Sequence, residues 1–427
     1  MIDYFLLVSF YLLSVGGILT LIYQEYRQHR FSFHLLFSLI YLVTFYAGFP
    51  FSLLMGFGFG YQLPEISTQW KVFITSGVSY VIYYFCYLFA FTNSKRELNI
   101  KTNDLARFQA KSTAFILILL ATLTLVYFLY LNGFLLFKLE KYSQLFAKNI
   151  VEAAALKRFF YFFLPGLLIF FFMYKNKTAW WTLLIAGALF GGITYLAVGG
   201  TRANLALAFI FFLFIGLYQG YLSLRGVIVA GIISLVAMFA LALARYKLDV
   251  SGSEAIYTFL YLSRDTFSPW ENLARLFSHP IEYQGLMPII RDFYVYIPQS
   301  IWPERPDIAW NTANYFTKII LENQSGLAIS PTILGSFYIM GGFWVVGIGM
   351  VTVAFFIKGL DKLFSYGEAC CSAVIQAYCL GNLFNLIVLV REGIDAFISR
   401  FMFFSLVFLA CWLIAYLIPT RQGKRND

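Results

Sequence analysis

The chain has 427 residues, of which 60% are hydrophobic and 12% charged, and its mean hydropathy is +0.74. An average soluble domain has about 25% charged residues, so these values exclude a water-soluble fold, whose core could not bury this much apolar surface. The net charge of +10 would suggest nucleic acid as a partner of a soluble protein. Here the basic residues must first be assigned to the two faces of a membrane, and we expect no nucleic-acid partner.

Apolar runs long enough to cross a bilayer follow one another along the chain. Hydrocarbon about 30 Å thick requires roughly 20 apolar residues per helix. The sequence therefore predicts an all-α polytopic membrane fold, forming one transmembrane domain over residues 1–427. The first run is taken as a span and not as a signal peptide, because no basic residue precedes it and it is long. The eleven predicted spans are residues 4–23, 33–55, 70–92, 113–135, 159–174, 180–198, 203–219, 226–243, 330–357, 370–390 and 398–419.

The Lys and Arg residues of the short loops predict the orientation of the chain. With the C-terminus in the cytoplasm, the segment 56–69 faces outward and contains no basic residue. This distribution follows the positive-inside rule, so we predict an N-out, C-in topology. The basic residues of the short segments then placed inside are Arg27, Arg30, Lys95, Arg96, Lys101, Arg107, Lys111, Lys175, Lys177, Arg225, Lys358, Lys362, Arg421, Lys424 and Arg425.

One connection is far longer than the others. Residues 244–329 separate the eighth and ninth predicted spans, and loops of this length are usually functional or disordered. The aromatic and amphipathic composition predicts an ordered, partly helical loop on the outer face. Ser253-Glu254 and Ser268-Pro269-Trp270-Glu271 are typical helix starts, and Ser330-Pro331 begins the ninth span in the same way.

Charged residues at the outer ends of spans are candidate site residues, because a charge within a span is costly and usually faces a cavity or a partner. In Gly199-Gly200-Thr201-Arg202, the glycines let the backbone approach a ligand and Arg202 offers donors suited to phosphate. The alternative is a helical hairpin with one snorkelling arginine.

The two predicted loop helices carry Arg264, Asp265, Glu271 and Arg275, and Tyr261 shares the helix face of Arg264. A carboxylate beside arginines can act as a base toward a substrate hydroxyl while the arginines hold an anion. The alternative is a set of surface ion pairs, with Glu271 and Arg275 at the i, i+4 spacing.

Further along the loop, Arg291-Asp292 is followed by Tyr294 and then by Trp302. Aromatic rings beside charged groups suit sugars, since rings cover apolar sugar faces. Equally, these rings can anchor the loop on the membrane surface.

The turn between the last two predicted spans contains Arg391, Glu392 and Asp395, with Arg400 about two helical turns after Glu392. This is the densest group of charges at a predicted membrane boundary. Arg391 and Asp395 can also form a structural i, i+4 pair.

Arginine binds phosphate and carboxylate with two parallel hydrogen bonds, and nine arginines fall on the predicted outer side. An anionic ligand at the outer face is therefore expected. No His or Cys cluster has metal-ligand spacing, so no metal site is expected. The nine are Arg158, Arg202, Arg245, Arg264, Arg275, Arg291, Arg305, Arg391 and Arg400.

Six stretches of the sequence closely resemble the enterobacterial common antigen polymerases, a Wzy-type family in the group of O-antigen polymerases and ligases. The likeness runs over most of the chain. The stretches begin at Leu156-Lys157-Arg158, Val198-Gly199-Gly200, Ser263-Arg264-Asp265, Ile290-Arg291-Asp292, Ser325-Gly326-Leu327 and Arg391-Glu392-Gly393.

The resemblance implies an inner-membrane glycosyltransferase that acts at the periplasmic face. Such an enzyme moves a growing glycan from undecaprenyl pyrophosphate onto a new trisaccharide on the same carrier. The resemblance also implies a Wzz-type chain-length co-polymerase as partner, and neither a metal nor another cofactor. A flippase or other transporter, and a ligase with a different acceptor, are the alternative functions.

For this reaction the arginines are expected to stabilise the donor phosphate. One carboxylate is expected to act as base or to orient the acceptor. The predicted catalytic residues are Asp265, Asp292, Glu392, Arg264 and Arg391, and the predicted substrate-binding residues are Arg202, Arg291, Arg400, Arg275, Glu271, Asp395, Tyr261 and Tyr294.

Overall fold

The computed structural model of the protein describes residues 2–90, 104–138, 151–246, 251–294, 297, 301–304, 311–324 and 328–418. For some helical residues, including Arg245, Asp265 and Asp292, the description is limited to the backbone. Across these ranges all regular structure is helical. The predicted all-α class is thereby confirmed.

Eighteen α-helices follow one another in the described ranges. Short π-helical turns at Val43–Ala47 and Phe316–Ile320 and a 3-10 helix at Ala154–Phe162 join some of them. The α-helices are α1 (Ile2–His29), α2 (Phe33–Leu42), α3 (Gly48–Phe59), α4 (Ile66–Phe89), α5 (Asp104–Asn132), α6 (Leu135–Lys138), α7 (Phe163–Tyr174), α8 (Lys177–Ala197), α9 (Ala203–Tyr218), α10 (Leu224–Tyr246), α11 (Gly252–Phe267), α12 (Trp270–Phe277), α13 (Met287–Tyr294), α14 (Thr312–Tyr315), α15 (Thr332–Ala369), α16 (Ala373–Gly381), α17 (Leu383–Arg391) and α18 (Ile394–Leu417).

Nine helical segments of the described chain are long and apolar enough to cross a membrane. Two further predicted spans coincide with shorter apolar stretches, Ala203–Tyr218 and Arg225–Ser234. The polytopic class is therefore confirmed, while the count of eleven spans and the N-out, C-in orientation stay predictions.

The long connection contains four helices, α11 to α14, so its partly helical character is confirmed. Both predicted starts differ in detail from the observed ones. Helix α11 begins at Gly252, after Ser251 and not at Ser253. Helix α12 begins at Trp270, and the Ser268 hydroxyl donates a hydrogen bond of 2.9 Å to the Thr44 carbonyl instead of capping it. A tertiary partner has displaced the local cap, because a buried hydroxyl must be satisfied.

The chain divides into two compact units, each made of separated segments. The first comprises Met1–Ser94, Val250–Asp361 and Phe384–Met402. The second comprises Lys95–Asp249, Lys362–Leu383 and Phe403–Asp427. Most of the predicted site residues belong to the first unit.

In the first unit, Trp270 attaches the loop helix α12 to the membrane helices. Its side chain is fully buried, with ring centroids 5.4 Å from Phe49 and 5.5 Å from Phe73. Its indole N–H donates to the Ser52 hydroxyl at 3.2 Å. Burying an aromatic side chain of this size contributes a few kcal/mol (~3), so the indole fixes α12 against α3 and α4.

Helix α15 is interrupted at Gly341 and Gly342, whose backbone angles are not helical. Gly342 has a φ of 70°, a left-handed conformation that a side chain would strain. The carbonyls of Ile339 and Met340 accept hydrogen bonds of 2.9 Å from the amides of Gln284 and Gly285. The loop backbone therefore takes the place of the next helical turn, and the break costs no hydrogen bond at these two carbonyls.

In the second unit, α8 and α9 form a tight hairpin. The Trp180 indole stacks on Phe212 at 4.1 Å and donates a hydrogen bond of 2.8 Å to the Phe212 carbonyl. Gly199 and Gly200 make the connecting turn with φ values of 71° and 96°. The tight glycine turn predicted here is thus observed.

Candidate functional site

The Arg264–Glu271 cluster joins the two loop helices α11 and α12. The Arg264 Nη1 atom lies 2.9 Å and 3.0 Å from the two Glu271 carboxylate oxygens. The Ser52 hydroxyl donates to Glu271 Oε1 at 2.6 Å, and the Tyr61 hydroxyl donates to Oε2 at 2.5 Å. Arg264 and Glu271 are each 5% exposed. The charge pair is therefore buried and supported by neutral hydrogen-bond donors.

Two tyrosine rings flank the Arg264 guanidinium. Its central carbon lies 5.0 Å from the Tyr61 ring centroid and 4.8 Å from that of Tyr261. Burial alone would lower the pKa of Arg264, but Glu271 and Tyr61 outweigh it and raise the pKa above its usual value. Burial, followed by the hydrogen bond to Glu271, raises the pKa of Tyr61. Arg264 therefore stays charged and Tyr61 stays a donor.

This geometry separates residues that the sequence grouped together. Glu271 pairs with Arg264, and not with Arg275, which is exposed on α12. Both Glu271 oxygens already accept hydrogen bonds, so this carboxylate is suited to holding Arg264 and α12 in place. Tyr261 is 40% exposed, so its ring is the accessible edge of the cluster. Asp265 lies on α11, and its side chain is outside the described residues.

A second cluster lies at the turn between α17 and α18. Arg400 Nη2 lies 2.6 Å from Glu392 Oε2, and the two side chains are 37% and 24% exposed. The Arg400 guanidinium also lies 5.6 Å from the Phe384 ring centroid. Arg391, the last residue of α17, is half-buried beside this pair in sequence. The Glu392–Arg400 pair is thus an ion pair that the protein covers only in part.

Asp395 lies in the same turn but has a different environment. Its carboxylate is 2% exposed and accepts hydrogen bonds from the Thr312 amide at 2.9 Å, the Thr312 hydroxyl at 2.8 Å and the Ser336 hydroxyl at 3.2 Å. The Ser336 hydroxyl also accepts from the Ile394 amide at 3.3 Å. Asp395 therefore ties together the start of α18, α14 and α15.

The third predicted group lies on α13. Arg291 and Tyr294 are half-buried on this helix, and the Tyr294 ring centroid lies 5.7 Å from that of Trp302. The side chain of Asp292 is outside the described residues. The two rings therefore pack against each other, and their predicted role toward a sugar stays a prediction.

Arg202 belongs to the second unit, at the residue that precedes α9. The Gly200 amide in this turn donates to the Tyr195 carbonyl at 2.8 Å. Arg202 is half-buried at the end of the turn. Its predicted role toward phosphate stays a prediction.

Four uncharged partners in these clusters were not predicted from the sequence. Ser52 and Tyr61 hold Glu271, and Thr312 and Ser336 hold Asp395. Hydroxyl residues in or near apolar spans have no motif that marks such a role. A usable signal was that a buried carboxylate requires donors, although the sequence does not specify which hydroxyls provide them.

The fold and these clusters define a multi-pass, all-helical membrane protein whose loop helices are anchored to its spans through buried carboxylates. The chain belongs to the family described as WzyE protein, O-antigen assembly polymerase, whose profile matches residues 1–420. The resemblance drawn from the six sequence stretches is thereby confirmed. As a member of this family, the protein is a polysaccharide polymerase of the glycosyltransferase type in the inner membrane. No solved structure matches the chain.

Proposed function

We propose that the protein polymerises lipid-linked repeats of enterobacterial common antigen at the periplasmic face of the inner membrane. The donor is the growing chain on undecaprenyl pyrophosphate, and the acceptor is a trisaccharide on the same carrier. The Glu392–Arg400 pair is the observation that carries the proposal at the level of the site. It combines a carboxylate and a phosphate-binding cation at 2.6 Å, both partly exposed.

The reaction exchanges one bond to carbon for another. The bond between the terminal sugar C1 of the donor and the pyrophosphate oxygen breaks, and undecaprenyl pyrophosphate leaves with the electron pair. A bond forms between that C1 and a hydroxyl oxygen of the acceptor, and the hydroxyl proton passes to a base. The leaving pyrophosphate provides the driving force, so the step needs neither a nucleotide sugar nor a metal.

Glu392 is the best-placed base among the carboxylates whose side chains are described in the candidate clusters. Glu271 and Asp395 are buried, and their oxygens are occupied by Arg264, Tyr61, Thr312 and other donors. Arg400 can bind the donor pyrophosphate while it stays close to Glu392. Charge that develops on the leaving oxygen is then stabilised where the base also acts.

The other charged residues have supporting roles in this proposal. Arg391 adjoins Glu392 in sequence and adds a second guanidinium for pyrophosphate. Arg264, held by Glu271, positions the α11 face that presents Tyr261 to the sugar chain. The anionic groups of the glycan bind to Arg202, Arg275 and Arg291, and the Tyr294 ring covers a sugar face. Two further carboxylates, Asp265 and Asp292, are candidates for the base. A Wzz-type co-polymerase sets the chain length.

The test is a polymer ladder assay on the purified full-length protein with lipid-linked trisaccharide as sole substrate. We expect a ladder from the wild type, and losses of about 100-fold or more for Glu392→Gln, the size typical of a lost general base. Arg400→Lys keeps the charge but not the paired donors, so its loss should be smaller. Glu282→Gln, an exposed carboxylate outside the clusters, is the matched control.

The same assay distinguishes the alternative functions. A flippase makes no covalent change to the substrate, and a ligase makes no product until a different acceptor is added. Normal ladders from folded Glu392→Gln protein would remove Glu392 as the base while leaving the polymerase function intact. Absence of any ladder from the wild type would contradict the proposed function itself.

A further inference from the structure

A groove lies in the first unit between α4 and the part of α15 that directly follows the break at Gly341 and Gly342, and its volume is about 330 Å³. Helix α4 lines it with one stripe of residues that includes Lys71, Ile74, Val78 and Ile82. Helix α15 contributes Phe343 and Gly347. Ile74, Val78 and Phe343 are 46%, 53% and 55% exposed. Because both helices are span candidates, these exposed apolar side chains face the lipid.

One end of the groove has the features of a membrane interface. Lys71 is the only charged residue of its lining. Trp70 precedes Lys71 on α4, and Trp344, which is 85% exposed, follows Phe343 on α15. Tryptophan prefers the boundary between hydrocarbon and water. From Lys71 to Ile82 the α4 stripe extends about 16 Å along the helix, so the groove enters the hydrocarbon to about half its depth.

An aromatic cluster adjoins this interfacial end. The Phe343 ring centroid lies 5.0 Å from that of Tyr338 and 5.6 Å from that of Phe277. Tyr283 packs against Tyr338 at 6.2 Å. Aromatic rings with hydroxyl groups suit the faces and edges of sugars. An apolar groove, one cation and an aromatic cluster therefore follow one another from the hydrocarbon to the water.

We propose that this groove holds the isoprenoid chain of a polyprenyl-phosphate-linked glycan next to its head group. Lys71 binds the phosphate, and the aromatic cluster contacts the first sugar. A bilayer phospholipid has the chain and the phosphate but no sugar for the rings. The proposal rests on the proposed function and adds to it a binding site whose lining includes neither Glu392 nor Arg400.

A second groove provides an internal control. It lies between α1 and α4, has a volume of about 710 Å³ and has no charged residue in its lining. Gly17 lines this second groove and Gly347 lines the first. An added Cβ meets nothing within 4 Å at either glycine. Gly347→Leu and Gly17→Leu are therefore a matched pair that fills one groove at a time.

The experiment uses the full-length protein in nanodiscs of phosphatidylethanolamine and phosphatidylglycerol, with a photoactivatable undecaprenyl phosphate as probe. Cross-links are mapped by mass spectrometry. We expect labels on α4 near Ile74, which lines only the first groove, and on α15 near Gly347. Gly347→Leu should reduce this labelling to background, and Gly17→Leu should leave it unchanged. Lys71→Gln should weaken labelling about fivefold, the contribution of one cation at an anionic interface, whereas Lys177→Gln should not.

Competition identifies the occupant. Excess unlabelled lipid-linked trisaccharide, which carries the sugar, should suppress the labelling, and excess phosphatidylglycerol should not. Equal suppression by both lipids, or undiminished labelling of Gly347→Leu, would overturn the proposal. Labelling requires no turnover, so labelled protein that makes no ladder counts against the proposed function alone. Ladders from protein that is not labelled in the groove count against the groove alone.

Discussion

The Asp395 carboxylate binds both the amide and the hydroxyl of Thr312, at 2.9 Å and 2.8 Å, across 83 residues of sequence. The bond fixes the end of the long loop to the first turn of α18. The same carboxylate holds Ser336 of α15. The loop therefore has a defined position beside the turn that carries Glu392.

Replacing Asp395 with Ala should destabilise the protein by about 2–4 kcal/mol, because buried donors of Thr312 and Ser336 lose their acceptor. Thermal unfolding in detergent measures this loss of stability. The polymer yield of the variant at low temperature should also fall. Glu282→Gln should change neither quantity. Unfolding temperatures that match the wild type would show that water or another acceptor replaces the carboxylate.

The buried pair of Arg264 and Glu271 predicts that losing one charged partner destabilises the protein more than losing both. Glu271→Gln leaves a buried guanidinium without its counter-charge, for which we expect a loss of about 3–5 kcal/mol. The double change Arg264→Met with Glu271→Gln should cost less than Glu271→Gln alone, because no buried charge remains. Thermal unfolding of the two variants gives the comparison. A larger loss for the double variant would mean that Arg264 stabilises the fold independently of Glu271.

Tyr61 should make stability depend on pH in the alkaline range. Its folded pKa is raised above the usual value of about 10. Its contribution is therefore complete below pH about 10 and is lost as the pH rises through the folded pKa. The stability advantage of wild type over Tyr61→Phe should shrink above pH about 10. Urea unfolding measures this advantage. If it grew with pH, the pKa of Tyr61 would not be raised in the folded protein.

Gly393 should not tolerate a side chain. Its φ of 122° lies where only glycine is unstrained, and an added Cβ would come within 2.8 Å of the Ser336 Cβ. Gly393→Ala should cost about 1–3 kcal/mol from backbone strain alone. Gly192→Ala is the control, since its Cβ meets nothing within 4 Å. Equal unfolding temperatures for the two variants would contradict the strained turn.

Exchanging the charges of Glu392 and Arg400 tests whether their pair is only structural. The exchanged pair can still form an ion contact, so the double variant Glu392→Arg with Arg400→Glu should recover the stability lost by each single change. Polymer yield should not recover, because the base and the phosphate-binding cation have changed places. A double variant with wild-type yield would assign the pair a purely structural role.

The spans were accessible from the sequence because hydrocarbon selects for long apolar helices, a signal that each segment carries by itself. The side-chain pairing was less accessible. The i, i+4 spacing suggested that Glu271 meets Arg275, but a buried carboxylate with several donors is held more strongly than an exposed ion pair. Glu271 therefore turns inward to Arg264.

The spacing of Arg391 and Asp395 shows a second limit. The i, i+4 rule assumes one continuous helix, whereas α17 ends at Arg391 and α18 begins at Ile394. Gly393 bends the chain between them. The sequence showed Arg400 about two helical turns after Glu392 but did not predict their ion pair. The partners of Asp395 come from residues 59 and 83 positions away, which no local pattern specifies.

The separation of Ser52 and Tyr61 from Glu271, 219 and 210 residues, also has a consequence for biosynthesis. A ribosome makes the chain from its N-terminus, so the two hydroxyls enter the membrane long before their acceptor exists. The bonds from Ser52 and Tyr61 therefore form only after the segment that carries Glu271 has been synthesised. The attachment of α12 to α3 through Glu271 is thus a late event in the synthesis of the chain.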